Sequence, residues 1–137
     1  MNSPVTIDAS VFVSAFTPTE PAHPASKSFM LNVREQSVPI IVPVLVLPEI
    51  SAALSRGQGK PELGKAFVQE LRNFPNTTFI DVDETVANLA VDVAANNRLR
   101  GSDAVYAAVA LRFGTELITL DREQLDRLPK VLSVRAP

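Results

Sequence analysis

The chain has 137 residues and a formal net charge of −2, and its length predicts a single domain spanning residues 1–137. It contains no cysteine and one histidine, which excludes disulfides, thiolate catalysis and zinc sites built on cysteine or on several histidines. Any metal site must therefore use oxygen ligands, the donors that Mg²⁺ and Mn²⁺ prefer.

The first half of the chain alternates between short apolar runs and segments with apolar residues at helical spacing. Prolines mark a loop over 17–24, because proline fixes φ and removes a backbone donor. The predicted elements are, in order, a strand at 5–7, a short helix that ends before Pro18, a helix at about 25–35, a strand at 40–42, and a helix from Val46 that ends at Gly57 and Gly59.

The second half repeats this alternation. The predicted elements are, in order, a helix from Pro61 to Phe74, a strand at 77–80, a helix from Val86 to about Asn97, an alanine-rich helix at 103–112 preceded by a break at Gly101 and Ser102, a strand at 117–120, a short helix at 123–127 and a strand at 131–134. This order predicts an α/β fold, a single-domain α/β/α sandwich with a central parallel sheet of about five strands.

Four acidic residues lie where a strand-like run ends or a helix begins. They are Asp8, Glu49, Asp103 and Asp121. Helix starts lie at the carboxyl edge of a parallel sheet, where such folds bind their ligands, so we expect the four side chains to converge there. Carboxylates brought together in this way repel one another unless a cation lies between them. The pattern therefore indicates a divalent-metal site.

Each acid also has a structural interpretation. Asp and Glu are favoured at helix starts because they accept hydrogen bonds from unpaired backbone N–H groups and complement the helix dipole. Asp121 followed by Gln124 resembles a capping box. A cap explains any one of the acids, whereas the set of four favours the metal site.

The segments around these acids resemble the PIN-domain ribonucleases. They are Asp8-Ala9-Ser10, Leu47-Pro48-Glu49-Ile50, Gly101 with Asp103-Ala104 and Ala107-Ala108, and Thr119-Leu120-Asp121. In spacing and length the chain is most similar to the toxins of VapBC-type toxin–antitoxin pairs. The resemblance covers essentially the whole chain, and all four acidic positions of the family pattern are occupied.

The resemblance implies an endoribonuclease that hydrolyses RNA phosphodiester bonds with Mg²⁺ or Mn²⁺ as cofactor. It also implies a structured RNA substrate such as tRNA or rRNA, a cognate antitoxin and a homodimer. In this interpretation Asp8 and Asp103 ligate the metal, and Asp121 does so directly or through water. Glu49, also one of the expected metal-site residues, would orient or deprotonate metal-bound water.

Further residues receive supporting roles from this interpretation. Ser10 and Thr119 would hydrogen-bond the carboxylates and fix their rotamers, although local turn hydrogen bonding explains them equally well. Arg98 and Arg100 precede Asp103 and would contact RNA phosphates near the metal; the alternative is a solvated helix end. Tyr106 is expected in the core or at a dimer surface.

The segment at the start of the chain lacks the positive region and long apolar run of a signal peptide. The most apolar segment, 38–47, is too short and too interrupted by prolines to cross a membrane. Together with the absence of cysteine, these features predict a cytoplasmic protein. The net negative charge is atypical of nucleic-acid binding, but divalent cations would neutralise several of the acids.

Other function classes fit the sequence less well. A phosphatase of the haloacid dehalogenase type needs a second Asp two residues after Asp8, where Ser10 stands. The paired acids and late lysine of a receiver domain are not at the right places, and the five glycines never cluster as a phosphate-binding loop or dinucleotide fingerprint requires. Two alternatives remain open: a catalytically silent metal-binding scaffold that acts through protein contacts, and a housekeeping RNA-processing nuclease of the same fold.

Overall fold

Strands and helices alternate along residues 3–137, the part of the chain that the computed structural model describes. The strands are Val5–Ile7 (β1), Ile40–Pro43 (β2), Thr77–Ile80 (β3), Glu116–Ile118 (β4) and Val134–Arg135 (β5). The helices are Ala9–Phe16 (α1), His23–Glu35 (α2), Val46–Gln58 (α3), Pro61–Arg72 (α4), Glu84–Asn97 (α5), Gly101–Phe113 (α6) and Arg122–Arg127 (α7). In this described part, no helix is long and apolar enough to cross a membrane.

The strands form one parallel sheet in the order β3-β2-β1-β4-β5. This confirms the predicted α/β/α fold with a five-stranded parallel sheet. The chain builds the sheet outward from β1 in one direction through β2 and β3, and then crosses to the other side of β1 to form β4. The order therefore reverses between β1 and β4, and ligand sites of open α/β sheets lie beyond the carboxyl ends of the strands at such a point.

Helix α6 forms much of the core against the centre of the sheet, where it packs on β1, β2 and β4. Its small residues Ala104, Ala107, Ala108 and Ala110 are buried and allow the helix to approach the strands closely. Tyr106 is the one large side chain among them, and it is fully buried. Any polar group that α6 carries on this face is consequently held away from bulk water.

Two predicted boundaries near the acids are wrong. Gly101 and Ser102 do not interrupt the chain before α6, because Arg100 takes the extended conformation of an N-cap and the helix begins at Gly101. Strand β4 ends at Ile118 rather than at residue 120, because the Leu120 N–H leaves the sheet and donates to the Ser10 hydroxyl at 3.1 Å. Both differences place polar groups at the carboxyl edge of the sheet.

The last strand was also predicted too early. The predicted segment 131–134 begins with two residues whose N–H groups both donate to the Leu128 carbonyl, in a turn that follows α7. Pairing with β4 starts only where the Leu117 N–H donates to the Ser133 carbonyl, so β5 is Val134–Arg135. Gly57 lies inside α3, which ends at Gly59 in a left-handed conformation with φ of 65°.

Gly64 and Gly57 provide a matched pair of glycines for testing the packing of α4 on α3. A Cβ at Gly64 would lie 2.7 Å from the Ser51 carbonyl oxygen and 2.5 Å from the Ser55 hydroxyl, whereas a Cβ at Gly57 would meet nothing within 4 Å. We expect Gly64→Ala to lower the free energy of unfolding by about 1–3 kcal/mol through overpacking. Gly57→Ala should raise it by about 0.5–1 kcal/mol through helix propensity. Urea unfolding measures both, and a stabilising Gly64→Ala would contradict the helix contact.

Candidate active site

All four predicted acids face one cleft at the carboxyl edge of the sheet. This acidic cleft, lined by Asp8, Glu49, Asp103 and Asp121, has a volume of about 630 Å³. Asp8 follows β1 directly, Glu49 and Asp103 lie in the first turns of α3 and α6, and Asp121 caps α7. The expected convergence of the acids is thus present in the structure.

Two hydroxyl groups, those of Ser10 and Thr119, donate their protons to the Asp8 carboxylate. Its Oδ2 accepts hydrogen bonds from Ser10 Oγ at 2.6 Å and Thr119 Oγ1 at 2.9 Å. The same hydroxyls accept N–H bonds from Leu120 at 3.1 Å and Asp121 at 3.0 Å, which leaves each hydroxyl proton for the carboxylate. Burial nevertheless raises the pKa of Asp8, because the two hydrogen bonds do not fully replace lost water.

Asp103 is buried in the first turn of α6. Burial raises its pKa most, and the nearby charge of Asp121 raises it further. Arg100 opposes this increase through a salt bridge of 3.0 Å from Nε to Asp103 Oδ2. A second nitrogen of the same guanidinium, Nη2, lies 2.9 Å from Asp121 Oδ2. Arg100 therefore joins two of the four acids.

Asp121 both caps a helix and faces the cleft. Its Oδ1 accepts the Gln124 N–H at 3.1 Å, while Oδ2 accepts from Arg100. The resemblance to a capping box is only half realised, because the buried Gln124 side-chain amide has no hydrogen-bond partner within residues 3–137. A capping role and a role in the cleft are thus compatible for this residue.

Glu49 has a partner that is not among the predicted site residues. The hydroxyl of Tyr106 donates to Glu49 Oε1 at 2.5 Å. Burial raises the pKa of Glu49, the Tyr106 bond lowers it, and the charges of Asp8 and Asp103 raise it again. The pKa of Tyr106 is itself raised far above its ordinary value, mainly by burial, so the phenol stays a proton donor. In the sequence, only the position of Tyr106 three residues after Asp103, on the same face of α6, indicates that its side chain lies near the site.

The two arginines predicted to contact RNA lie in different surroundings. Arg100 lines the acidic cleft, whereas Arg98 does not. Arg98 ends α5 in a left-handed conformation with φ of 54°, its side chain is exposed, and its carbonyl accepts a bond from Arg127 at 2.6 Å.

The sole histidine, His23, lines a separate groove and hydrogen-bonds the Ser14 carbonyl through its ring.

The PIN domain family model matches residues 5–131 of this sequence. The chain belongs to the PIN domain family. This confirms the family to which the segments around the four acids point. A search of curated protein sequences finds no match.

Solved structures of toxin–antitoxin proteins share this PIN fold. VapC20 of Mycobacterium tuberculosis, a sarcin–ricin loop cleaving toxin, superposes with a TM-score of 0.75 at 16% identity, covering 97% of this chain and 99% of that chain. A chain of DNA-bound VapBC2 from Rickettsia felis gives 0.74 at 14% identity, with 98% of both chains covered. A chain of DNA-bound VapBC from Salmonella typhimurium gives 0.70 at 18% identity, covering 99% of this chain and 98% of that chain. At these identities the likeness establishes the fold.

The donor set of this PIN domain fits a hard divalent cation. All four side chains offer carboxylate oxygens, and burial together with mutual repulsion raises the pKa of Asp8, Glu49 and Asp103. The side chains are not arranged for ligation as they stand: in the part of the chain described, no three acidic or histidine groups are close enough to hold one ion. Metal binding would therefore require the carboxylates to rotate towards a common centre.

The raised pKa of Asp103 predicts how the stability of the metal-free protein depends on pH. A group whose pKa is raised by folding stabilises the fold below its ordinary value, 3.8 for Asp, and this contribution is lost as the pH rises through the folded value. We therefore expect wild type, relative to Asp103→Asn, to lose stability as the pH rises above 3.8. Urea unfolding in the presence of a chelator measures the difference.

Asp83 provides the control of opposite sign. Its pKa is lowered, chiefly by the Val86 N–H that it caps, so its contribution is present above 3.8 and lost as the pH falls. Relative to Asp83→Asn, wild type should therefore gain stability as the pH rises. If stability changes with pH in the same direction for both residues, Asp103 only stabilises the start of its helix, as Asp83 does.

Proposed function

We propose that this PIN-domain protein is a divalent-metal-dependent endoribonuclease and the toxin of a VapBC-type toxin–antitoxin pair. The observation that carries the proposal is the convergence of Asp8, Glu49, Asp103 and Asp121 at the reversal point of the sheet, with the pKa of three of them raised. Structural proteins seldom bury repelling carboxylates, whereas active sites use them. The fold shared with toxin–antitoxin proteins supports the same assignment.

In this proposal Asp8, Asp103 and Asp121 ligate Mg²⁺ or Mn²⁺. The bound ion would supply Lewis acidity that neutralises charge on the phosphate and makes the attacking water more acidic. Ser10 and Thr119 keep the Asp8 carboxylate in one orientation through their paired hydroxyls. These contacts reduce the rearrangement needed when the ligands come together.

Glu49 is proposed to orient the attacking water and accept its proton. Its raised pKa brings the carboxylate closer to the neutral range in which a general base works best. The Tyr106 hydroxyl holds Oε1, so Oε2 is the oxygen left to face the water. Tyr106 is thus a positioning residue for Glu49.

The proposed substrate is a structured RNA, tRNA or rRNA, which the toxin would meet in the cytoplasm. Support comes from VapC20, the sarcin–ricin loop cleaving toxin that shares the fold. Arg98 is exposed and Arg100 lies at the rim of the cleft, and both are proposed to contact phosphates near the cut. Metal ions bound by the acids would offset the net negative charge that otherwise repels RNA.

Asp103→Asn tests the catalytic assignment. We expect RNA cleavage to fall about a hundredfold or more, because a charged ligand is lost from the site. The metal-free variant should be as stable as wild type at pH 7 or slightly more stable, because a buried repelling charge is removed. The measurement combines cleavage of mixed RNA with added Mn²⁺ and thermal unfolding without metal.

Asp83→Ala is the matched control at another helix start. It removes the side chain that accepts the Val86 N–H, so the melting temperature should fall while cleavage is retained. If Asp103→Asn instead behaves like Asp83→Ala, Asp103 only stabilises the start of its helix. If wild type cleaves no RNA with either Mg²⁺ or Mn²⁺, the catalytically silent scaffold is the correct interpretation.

The proposed protein partner is a cognate antitoxin, as in the VapBC complexes that share the fold. A second cavity, the apolar groove, has a volume of about 800 Å³ and shares no lining residue with the acidic cleft. Its apolar lining residues include Phe12, Phe16, Met30, Leu31 and Phe74. We propose that an apolar segment of the antitoxin fills this groove. The homodimer implied by the family resemblance stays a prediction.

Leu31→Glu tests the antitoxin proposal. Leu31 is one of the exposed large apolar side chains, so a carboxylate there should leave the fold intact and abolish capture of the antitoxin. Val91→Glu, on another exposed apolar residue that lies outside the groove, is the control and should still bind. The probe is the product of the adjacent gene, co-expressed and co-purified, with a thermal melt of each variant. Equal capture by both variants would place the antitoxin elsewhere.

A further inference from the structure

Arg100 forms salt bridges with two of the acids that are proposed to ligate the metal. One guanidinium reaches carboxylates on two elements, Asp103 in the first turn of α6 and Asp121 at the start of α7. In both cases the acceptor is Oδ2, at 3.0 Å and 2.9 Å. The planar fork of arginine donates along two fixed directions, which suits this bridge between two carboxylates.

The arginine lies on the solvent side of the acids that it joins. Its side chain is 70% exposed, whereas those of Asp103 and Asp121 are 9% and 18% exposed. It can therefore leave the carboxylates without disturbing the core. Arg100 is itself the N-cap residue of α6, and its side chain makes no capping bond, so the helix start does not depend on the position of the guanidinium.

The single positive charge of Arg100 does not balance the four carboxylates that line the cleft. Its hydrogen bonds reach Asp103 and Asp121, while Asp8 and Glu49 are paired with neutral hydroxyls. Of the arginines that line the cleft, Arg100 is the one that forms salt bridges with its carboxylates, so a single guanidinium serves four acids. A compact divalent ion carries twice the charge and can approach several oxygens at once.

The guanidinium and a divalent ion would compete for the same oxygens. Two cations held a few ångströms apart repel each other strongly in a partly buried site. In the present arrangement, with Asp103 and Asp121 on Arg100, no three acids in residues 3–137 are grouped for one ion.

We propose that Arg100 is a resident counter-ion of the acidic cleft that holds Asp103 and Asp121 in the metal-free protein and is displaced when a divalent cation binds. The inference rests on the proposed metal site and adds to it an internal competitor. Displacement leaves the guanidinium at the rim of the cleft, where an RNA phosphate can take over as its partner. Metal loading and phosphate recognition are coupled through one side chain.

The test measures Mn²⁺ binding to metal-stripped protein by isothermal titration calorimetry, without RNA. Arg100→Ala should bind Mn²⁺ on the order of tenfold more tightly than wild type, because two ion pairs no longer compete. Arg100→Lys keeps the charge but lacks the fork, so its affinity should lie between the two. Arg100→Gln, which retains polarity and length, replaces Arg100→Ala if that variant does not fold.

Arg56→Ala is the matched control. Arg56 lines the same cleft, but its Nε donates to the Ala52 carbonyl at 3.4 Å instead of to a carboxylate. Its removal should change Mn²⁺ affinity less than about twofold, as expected for a screened charge without a direct contact. Without metal, Arg100→Ala should also melt at a lower temperature than Arg56→Ala, and Mn²⁺ should raise its melting temperature more.

Three results would overturn the inference. If wild type binds Mn²⁺ and Arg100→Ala binds it equally or more weakly, Arg100 does not compete with the ion. If Arg56→Ala tightens binding as much as Arg100→Ala, the effect is the general charge of the cleft. If neither wild type nor any variant binds Mn²⁺, the proposed metal site fails together with the inference, a result distinct from the other two.

Discussion

The parallel pairing of β1 with β4 is the constraint on which the acidic cleft depends. The register sets Ile7 opposite Ile118, so both strands end at the same level and the chain turns polar immediately afterwards. The Asp8 N–H still donates to the Ile118 carbonyl, and the Asp8 carboxylate then meets Thr119 from the neighbouring strand. A slip of one residue would turn these side chains to opposite faces of the sheet and separate them.

The cleft keeps repelling charges together at a cost in stability, and several neutral or cationic groups limit that cost. Hydroxyls from Ser10, Thr119 and Tyr106 donate to carboxylates, and Arg100 bridges two more. The pKa of Asp8 remains raised despite its two hydroxyl donors, because these hydrogen bonds do not fully offset the burial of its charge. Tyr106 supplies its donor from the core itself, because it is fully buried among the alanines of α6.

Much of the fold follows from the sequence because short apolar runs and helical spacing are local signals. The five strands and their parallel pairing agree with that expectation, and so do the helices, apart from the ends of several elements. The end of β4 and the position of β5 depend on tertiary hydrogen bonds, those from Leu120 to Ser10 and from Leu117 to Ser133, which no local pattern records. The acids could be predicted by their place at strand ends. The role of Tyr106 as the partner of Glu49 could not, because the two residues are 57 positions apart and only the tertiary structure brings them together.

Three aspartates at helix starts show why capping and chemistry are hard to separate in a sequence. Asp83 caps α5 while half-exposed, and its pKa is lowered by the N–H that it accepts. Asp103 sits in the first turn of α6 without capping it, and its pKa is raised because it is buried. Asp121 caps α7 with one oxygen and faces the cleft with the other. All three are aspartates at the start of a helix, so neither residue type nor position distinguishes them. Their roles differ because the surroundings of each carboxylate differ. Only the two beside the reversal point of the sheet share a guanidinium, and that shared cation is what marks them as parts of one site.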